Sequence, residues 1–357
     1  MTLVDPFNRT IDYLRVSITD RCNFRCVYCM PEEGSPISPK DELLTADEFV
    51  RIVRIAVQAG IRKVRLTGGE PLVRKDLVSI VAGIGALEGV DDLSLTTNGF
   101  LLKDLAPSLA SAGLTRINVS VDTLRKDRFK AVARRGDLDS VIAGIDAARA
   151  AGIGPIKINC VAMRGVNDDE AADFAAWTLR EEIHVRFIEL MPIRWNLDDT
   201  SGFDHLSMHQ GNGLIQLRQS AGSMLSDGQM RRMFVSSEEL RNQIEDTHGT
   251  LEPAVLATNG PARTYRLAGA AGTVGFISQI TSDLCEKCNR IRLTSDGFLR
   301  PCLMSDGELD LRSPLRAGAS DEEISALLHH VVDHKPERHY LAEGQKVTGR
   351  GMSQIGG

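Results

Sequence analysis

Apolar and polar positions along the first 190 residues follow two recurring patterns, short runs rich in Val, Ile and Leu and longer stretches with amphipathic helical spacing. After an extended stretch at Tyr13 to Ile18, strands are predicted at Lys63 to Leu66, Asp92 to Thr96, Arg116 to Val121, Ile156 to Ala162 and Val185 to Leu190. Between and after them, helices are predicted at Thr45 to Ala59, Asp76 to Leu87, Leu102 to Ala112, Asp139 to Ala151 and Asp169 to Leu179. Thr45 with Glu48 has the form of a capping box, and Gly60 and Gly113 stand where helices should end. A strand and helix repeat of roughly thirty residues implies parallel strands joined by crossover helices. Six such strands make either an open doubly wound sheet or a partial barrel, and periodicity does not separate them.

The placement of polar segments does. They fall just beyond the strand C-termini: the loop after Ile18, Thr67-Gly68-Gly69-Glu70-Pro71, Thr96-Thr97-Asn98-Gly99, Ser120-Val121-Asp122-Thr123 and Met191-Pro192. That is the habit of α/β barrels. After Ile193 the pattern changes, and residues 194–233, rich in Gly, Ser, Gln and Asp, are expected to form a long flexible excursion with no role in chemistry. A helix at Ser237 to Asp246, a strand pair at Arg263 to Leu267 and Thr273 to Ile277, and a last helix at Asp321 to Val332 follow. The expected divisions are a barrel over 1–193, an insertion over 194–233 and a C-terminal region over 234–357.

A chain of 357 residues supports a catalytic body with a smaller appended region. Its formal net charge of -6 supplies no global field for nucleic acid or an anionic membrane, so any phosphate must be held by local cations. There is no apolar run of about 18 residues and no basic start leading into an apolar stretch, so a soluble cytoplasmic protein is expected. Of seven cysteines, six fall in two groups, Cys22/Cys26/Cys29 and Cys285/Cys288/Cys302, with Cys160 alone inside a predicted strand as a small core residue. Without an export signal, such grouping favours metal ligation over disulfides.

The first group, in Asp20 to Met30, has the spacing C-x3-C-x2-C. Its occupant is zinc or an iron-sulfur cluster; structural zinc closes with a fourth protein ligand, whereas three thiolates on a cluster leave one iron open. A zinc site completed by a distant His or Cys is the alternative. The second group is also three cysteines, with a zinc knuckle finished by His248 as its alternative. If the stretch after Cys288 is extended, Arg290 and Arg292 point the same way, and guanidinium forks suit phosphate oxygens; a surface salt-bridge pair is the plainer reading. His329, His330 and His334 show no ligand spacing.

C-x3-C-x2-C joined to Gly68-Gly69-Glu70-Pro71 resembles the radical S-adenosylmethionine (SAM) superfamily. Within it, Thr19 to Cys26, Leu66 to Pro71, Arg186 to Pro192, Cys285 to Arg292 and the terminal Gly356-Gly357 resemble the GTP 3',8-cyclases, the family that opens molybdenum cofactor biosynthesis, over nearly the whole chain. Only residues 194–233 depart, being longer than expected for that family.

The resemblance implies an α/β fold, a partial (β/α)6 TIM-type barrel with a C-terminal extension covering its mouth. It implies two 4Fe-4S clusters, on Cys22, Cys26 and Cys29 and on Cys285, Cys288 and Cys302, with SAM chelated by the open iron of the first. Tyr28, Gly69, Ser120 and Met191 would surround SAM; Arg15, Arg65, Thr96, Lys157, Arg290 and Arg292 would face GTP. Arg290, Arg292, Gly356 and Gly357 would act in catalysis, the double-glycine tail threading into the site. The implied reaction passes one electron to SAM, and the deoxyadenosyl radical takes hydrogen from the ribose 3' carbon. That carbon bonds to guanine C8, giving (8S)-3',8-cyclo-7,8-dihydroguanosine 5'-triphosphate. Implied partners are an external one-electron donor and a downstream cyclic pyranopterin monophosphate synthase; a homodimer is compatible, and neither nucleic acid nor membrane is expected. Buried strand cations would be costly without such an anion, and which of Thr96 and Thr97 points inward stays open. The rivals are a different radical SAM enzyme with an auxiliary cluster, such as a peptide maturase, and a non-enzymic zinc scaffold.

Overall fold

Every predicted strand of the first 190 residues forms: β1 (Tyr13–Ser17), β2 (Lys63–Thr67), β3 (Asp92–Thr97), β4 (Arg116–Ser120), β5 (Ile156–Ala162) and β6 (Ile183–Glu189). Helices α1 (Ala46–Gln58), α2 (Leu77–Gly85), α3 (Leu102–Ser111), α5 (Leu138–Ala150) and α6 (Ala171–Arg180) match the amphipathic stretches. Thr45 and Glu48 do close a reciprocal capping box at the start of α1. This is a computed structural model, and the structure describes residues 2–191, 193, 225, 227–256, 260–282, 284–340 and 350–356.

One helix, α4 (Lys126–Ala133), stands where the sequence reading has only a loop. Lys126, Asp127 and Lys130 obscure the short apolar stripe of Phe129, Val132 and Ala133 that it buries. It backs the first cysteine loop, because the carbonyls of Ala133 and Val132 accept hydrogen bonds from the amides of Arg25 and Val27, both at 3.0 Å.

Beyond the barrel strands come α7 (Asp227–Arg232), α8 (Ser237–His248), β7 (Glu252–Pro253), β8 (Arg263–Arg266), β9 (Thr273–Ile277), β10 (Arg290–Leu293), β11 (Phe298–Arg300), β12 (Leu309–Asp310), α9 (Arg312–Arg316), α10 (Asp321–Asp333) and α11 (Met352–Ile355). All strands join one sheet in the order β12-β11-β10-β1-β2-β3-β4-β5-β6-β9-β8-β7. The stretch from β10 to β9 is parallel throughout, so the C-terminal region extends the six-stranded barrel sheet at both edges, and the sheet stays open. Pairing of β10 with β1 is a long-range event that the local pattern of four residues, Arg-Ile-Arg-Leu, does not announce.

The expected excursion over 194–233 lies mostly outside the described residues. Its described end packs on the cysteine loop: Leu225, Met230 and Met233 bury against Val27, and the Leu225 amide donates to the Val27 carbonyl at 3.1 Å.

Candidate active site

Strand parity builds the site. Leu14, Val16, Val64, Leu66, Ile117, Val119, Val185, Ile291 and Leu293 pack into the core with the helices. Their neighbours of opposite parity face away from the helices, and these are polar or cationic. Register aligns Arg292 beside Arg15, Arg15 beside Arg65, Arg65 beside Ser94 and Ser94 beside Arg116 in one row. A second row runs Thr96, Asn118, Lys157, His184.

Arg65, Arg116, Lys157, Arg186 and Arg292 are all buried. Burial, then the charges of Arg186, Arg116 and Arg65, pulls the Lys157 ammonium down to about 6. Burial and Arg65 lower Arg186 to about 9, and burial lowers Arg15 to about 10. Asp92, bound to Arg116, is a carboxylate on this face. A buried surface with this surplus of cations is costly by itself and is suited to a polyanion.

Of the sequence-predicted residues, Arg15, Arg65, Thr96, Lys157 and Arg292 are on this surface, and two further members, Arg116 and Arg186, are absent from the sequence reading of the site. Their signal was parity, each lying an even number of positions from a chosen or polar strand residue. Arg186 donates to Asn118 Oδ1 (2.9 Å) and Asn159 Oδ1 (2.6 Å), so it is held against β4 and β5 on this face. Thr96 and Thr97 also separate: the Thr96 hydroxyl accepts from Asn118 on the cationic face at 3.1 Å, while Thr97 donates to Glu70 at 2.6 Å.

The glycines of the Gly-Gly-Glu-Pro turn admit another backbone. Gly68 has φ +153, and a Cβ on it would lie 2.4 Å from the Thr19 carbonyl oxygen; one on Gly69 would lie 2.4 Å from that of Arg21. The Gly69 and Glu70 amides donate to those same carbonyls, each at 2.7 Å. Glu70 is buried and takes donors from Leu72 N, Thr97 Oγ1 and Asn98 N, yet burial still raises it to about 7. The motif therefore clamps the start of the cysteine loop to the ends of β2 and β3. Gly69→Ala should destabilise the metal-free chain by about 1–3 kcal/mol, since both clashing partners are backbone; thermal unfolding measures it.

In the first cysteine loop the amides of Cys29 and Met30 both donate to the Cys26 carbonyl, and the Phe24 amide donates to Cys22 Sγ at 3.4 Å. Burial pushes Cys22 and Cys29 up to about 12, aided by Glu70 at Cys22 and Asp122 at Cys29. The Tyr28 hydroxyl donates to Asp122 at 2.8 Å, and Ser120 ends β4 nearby in sequence. Cys285, Cys288 and Cys302 line one cavity with Arg290, Arg292 and Lys335. There, burial's upward push on Cys288 is outweighed by Lys335 and Arg290, leaving it lowered to about 7. Met304 N donates to Cys302 Sγ at 3.3 Å. None of these six cysteines is in a disulfide, and cysteines in threes with an amide donor on one sulfur of each group fit a cluster that takes three protein ligands. His248, the candidate fourth zinc ligand, is engaged with the Ala172 carbonyl, and no three Cys, His, Asp or Glu among the described residues group around a single ion. Cys160 is buried, as expected.

Two features bring these parts together. Met191, Cys302, Ile193, Met304 and Ile355 share one apolar cluster, joining the end of β6, the second cysteine group and the tail helix. Arg292 donates to the carbonyls of Gly356 (2.5 Å) and Ile355 (3.2 Å), and Arg15 to that of Gly356 (3.2 Å). The tail thus reaches the cationic face; Gly357 lies outside the described residues. Arg290 also lines a second cavity of about 390 Å³, together with Tyr13, Arg263, Lys287 and Asn289.

The family described as "Radical SAM superfamily" matches residues 16–178, and "Molybdenum Cofactor Synthesis C" matches residues 220–341. The GTP 3',8-cyclase of Heliobacterium modesticaldum is 48% identical over 358 residues, covering 99% of this chain and 100% of the relative. That of Moorella thermoacetica is 46% identical, covering 99% of each. Among solved structures, Streptococcus suis SuiB bound to S-adenosylmethionine aligns with a TM-score of 0.53 at 15% identity, covering 90% of this chain and 69% of that one, a likeness of fold.

Proposed function

This chain belongs to the GTP 3',8-cyclase family of radical SAM enzymes, and from that premise we propose that it cyclises GTP in the first step of molybdenum cofactor biosynthesis. Cys22, Cys26 and Cys29 hold the SAM cluster, with Tyr28, Gly69, Ser120 and Met191 around SAM; Cys285, Cys288 and Cys302 hold a second 4Fe-4S cluster. When bound, the SAM cluster supplies one-electron chemistry that no side chain performs. The chain's own residues bind and orient. Arg15, Arg65, Lys157 and Arg292 neutralise the triphosphate together with Arg116 and Arg186, Thr96 offers a hydroxyl on the same face, and Arg290 stands between the second cysteine site and the larger cavity. An external donor supplies the electron, and a cyclic pyranopterin monophosphate synthase consumes the product. No helix among the described residues is long and apolar enough to cross a membrane.

The observation that carries this reading is the meeting of the tail, the second cysteine group and Met191 on a buried cationic face. Anaerobic reconstitution followed by iron, sulfide and product analysis with SAM, reductant and GTP tests it. Roughly eight irons per chain with GTP-dependent deoxyadenosine formation is expected. Zinc in place of iron, or SAM cleavage indifferent to GTP, sinks the reading.

Lys157 adds a pH signature. Its pKa of about 6 in the ligand-free chain must rise beside a triphosphate. Its contribution to affinity is therefore fully present below about pH 6 and is lost as pH rises through the bound-state value, with proton uptake between the two. Calorimetry in buffers of different ionisation enthalpy should show that uptake, and Lys157→Met should remove it.

A further inference from the structure

Lys335 follows α10 and is buried, 3% exposed. Its ammonium donates to the carbonyl of Arg290 (2.8 Å) and to that of Pro301 (2.6 Å). Those carbonyls belong to the two segments that carry Cys288 and Cys302, and Lys335 lines the same cavity as the three thiols. No carboxylate among the described residues lies within ion-pairing distance of it. A buried ammonium held only by neutral carbonyls is expensive. Arg9 makes the contrast: it also holds this region, donating to the carbonyls of Cys285 (2.8 Å) and Glu337 (2.6 Å), but Asp5 neutralises it at 2.5 Å. Arg9 therefore fastens the loop without adding net charge, whereas Lys335 fastens it and leaves a positive charge facing the cavity.

We infer that Lys335 is a positioning residue of the second cysteine site, tying its two arms together and offsetting the negative charge that three thiolates bring to the cluster. The inference rests on the reading of Cys285, Cys288 and Cys302 as a cluster site. Removing a nearby positive charge makes a cluster harder to reduce, because reduction adds an electron to an already anionic group. Lys335 thus sets the charge state available at the site as well as its shape.

The test uses the full chain reconstituted anaerobically, with iron and sulfide counted and both clusters followed by redox titration monitored by electron paramagnetic resonance. The variant with Cys285, Cys288 and Cys302 all changed to Ala assigns the second signal. If that variant holds as much iron as the unaltered chain, the second cluster does not exist, and the premise fails separately from the inference. Given two clusters, Lys335→Gln, which keeps a neutral donor, is expected to shift the second midpoint potential downward and leave the first unmoved, while Lys335→Arg stays close to the unaltered chain. Selective loss of the second cluster's iron in Lys335→Gln, with retention in Lys335→Arg, supports the same conclusion. Should Lys335→Gln fail to fold, Lys335→Met is read in its place by the same criteria. Unmoved potential and iron in the neutral variant overturns the inference, and so does equal loss in the neutral and Arg variants, which would assign Lys335 a requirement of shape alone.

Discussion

Gly356→Ala is expected to leave both cysteine sites able to load iron and to lower GTP-dependent product formation about 100-fold, the scale on which a displacement near 1 Å acts. Gly356 has φ +67, and a Cβ there would lie 2.5 Å from Thr67 Cγ2 and 3.2 Å from Ser17 Cβ. Both neighbours are the last residues of paired central strands, β1 and β2, and cannot retreat. The tail must move instead, taking its carbonyl away from Arg292 and Arg15. The rest of the tail has its own anchor: Arg350 pairs with Asp296 (2.9 Å) and Glu308 (2.9 Å), just ahead of α11. The overall fold should therefore survive, and the melting temperature should change little. Chromatographic measurement of deoxyadenosine and cyclised product decides it. Undiminished product would mean that the contact between tail and arginines is incidental to turnover.

Arg292→Ala should separate stability from affinity in opposite directions. Burial and the neighbouring charges of Arg15, Arg290 and Arg300 all hold the Arg292 guanidinium well below its ordinary value, and its partners are the tail carbonyls. Deleting it relieves repulsion in the ligand-free chain, so the metal-free melting temperature should hold or rise. Against a triphosphate the same deletion removes a buried charge contact of about 2–5 kcal/mol, so GTP affinity should fall at least about 30-fold. Equilibrium binding of GTP without reductant, alongside thermal unfolding, reads both. A melting temperature that falls together with affinity would make Arg292 a structural residue. Arg292→Lys should recover only part of the binding, since an ammonium lacks the guanidinium fork.

How far each feature was legible follows from the range of the interaction behind it. Helix α1 was readable down to its cap because Thr45 and Glu48 act within three residues, and β5 was readable to the residue because Ile156, Ile158, Cys160 and Ala162 keep one buried apolar parity from end to end. The two cysteine groups were readable because thiolate spacing is a local constraint of the ligand set. Helix α4 was missed because its stripe is short and charge-rich, although it is the element that backs the first cysteine loop. Arg116 and Arg186 looked like ordinary strand charges until strand register placed them beside Ser94 and Asn159.

The sequence by itself determined the chemistry on offer: two sets of three thiols, a glycine-rich turn, strand cations at even spacing and a double-glycine end. Only the tertiary structure decided how they meet. Pairing of β10 with β1 puts Arg292 beside Arg15, the turn at Gly68 and Gly69 closes on the cysteine loop rather than standing open, and Gly356 comes to rest between two strands hundreds of residues away in the chain. The physical reason is that spacing constrains which ligands can share one centre, whereas the balance of buried like charges, the approach of backbone to backbone and the seating of a tail depend on contacts between segments that no local pattern encodes.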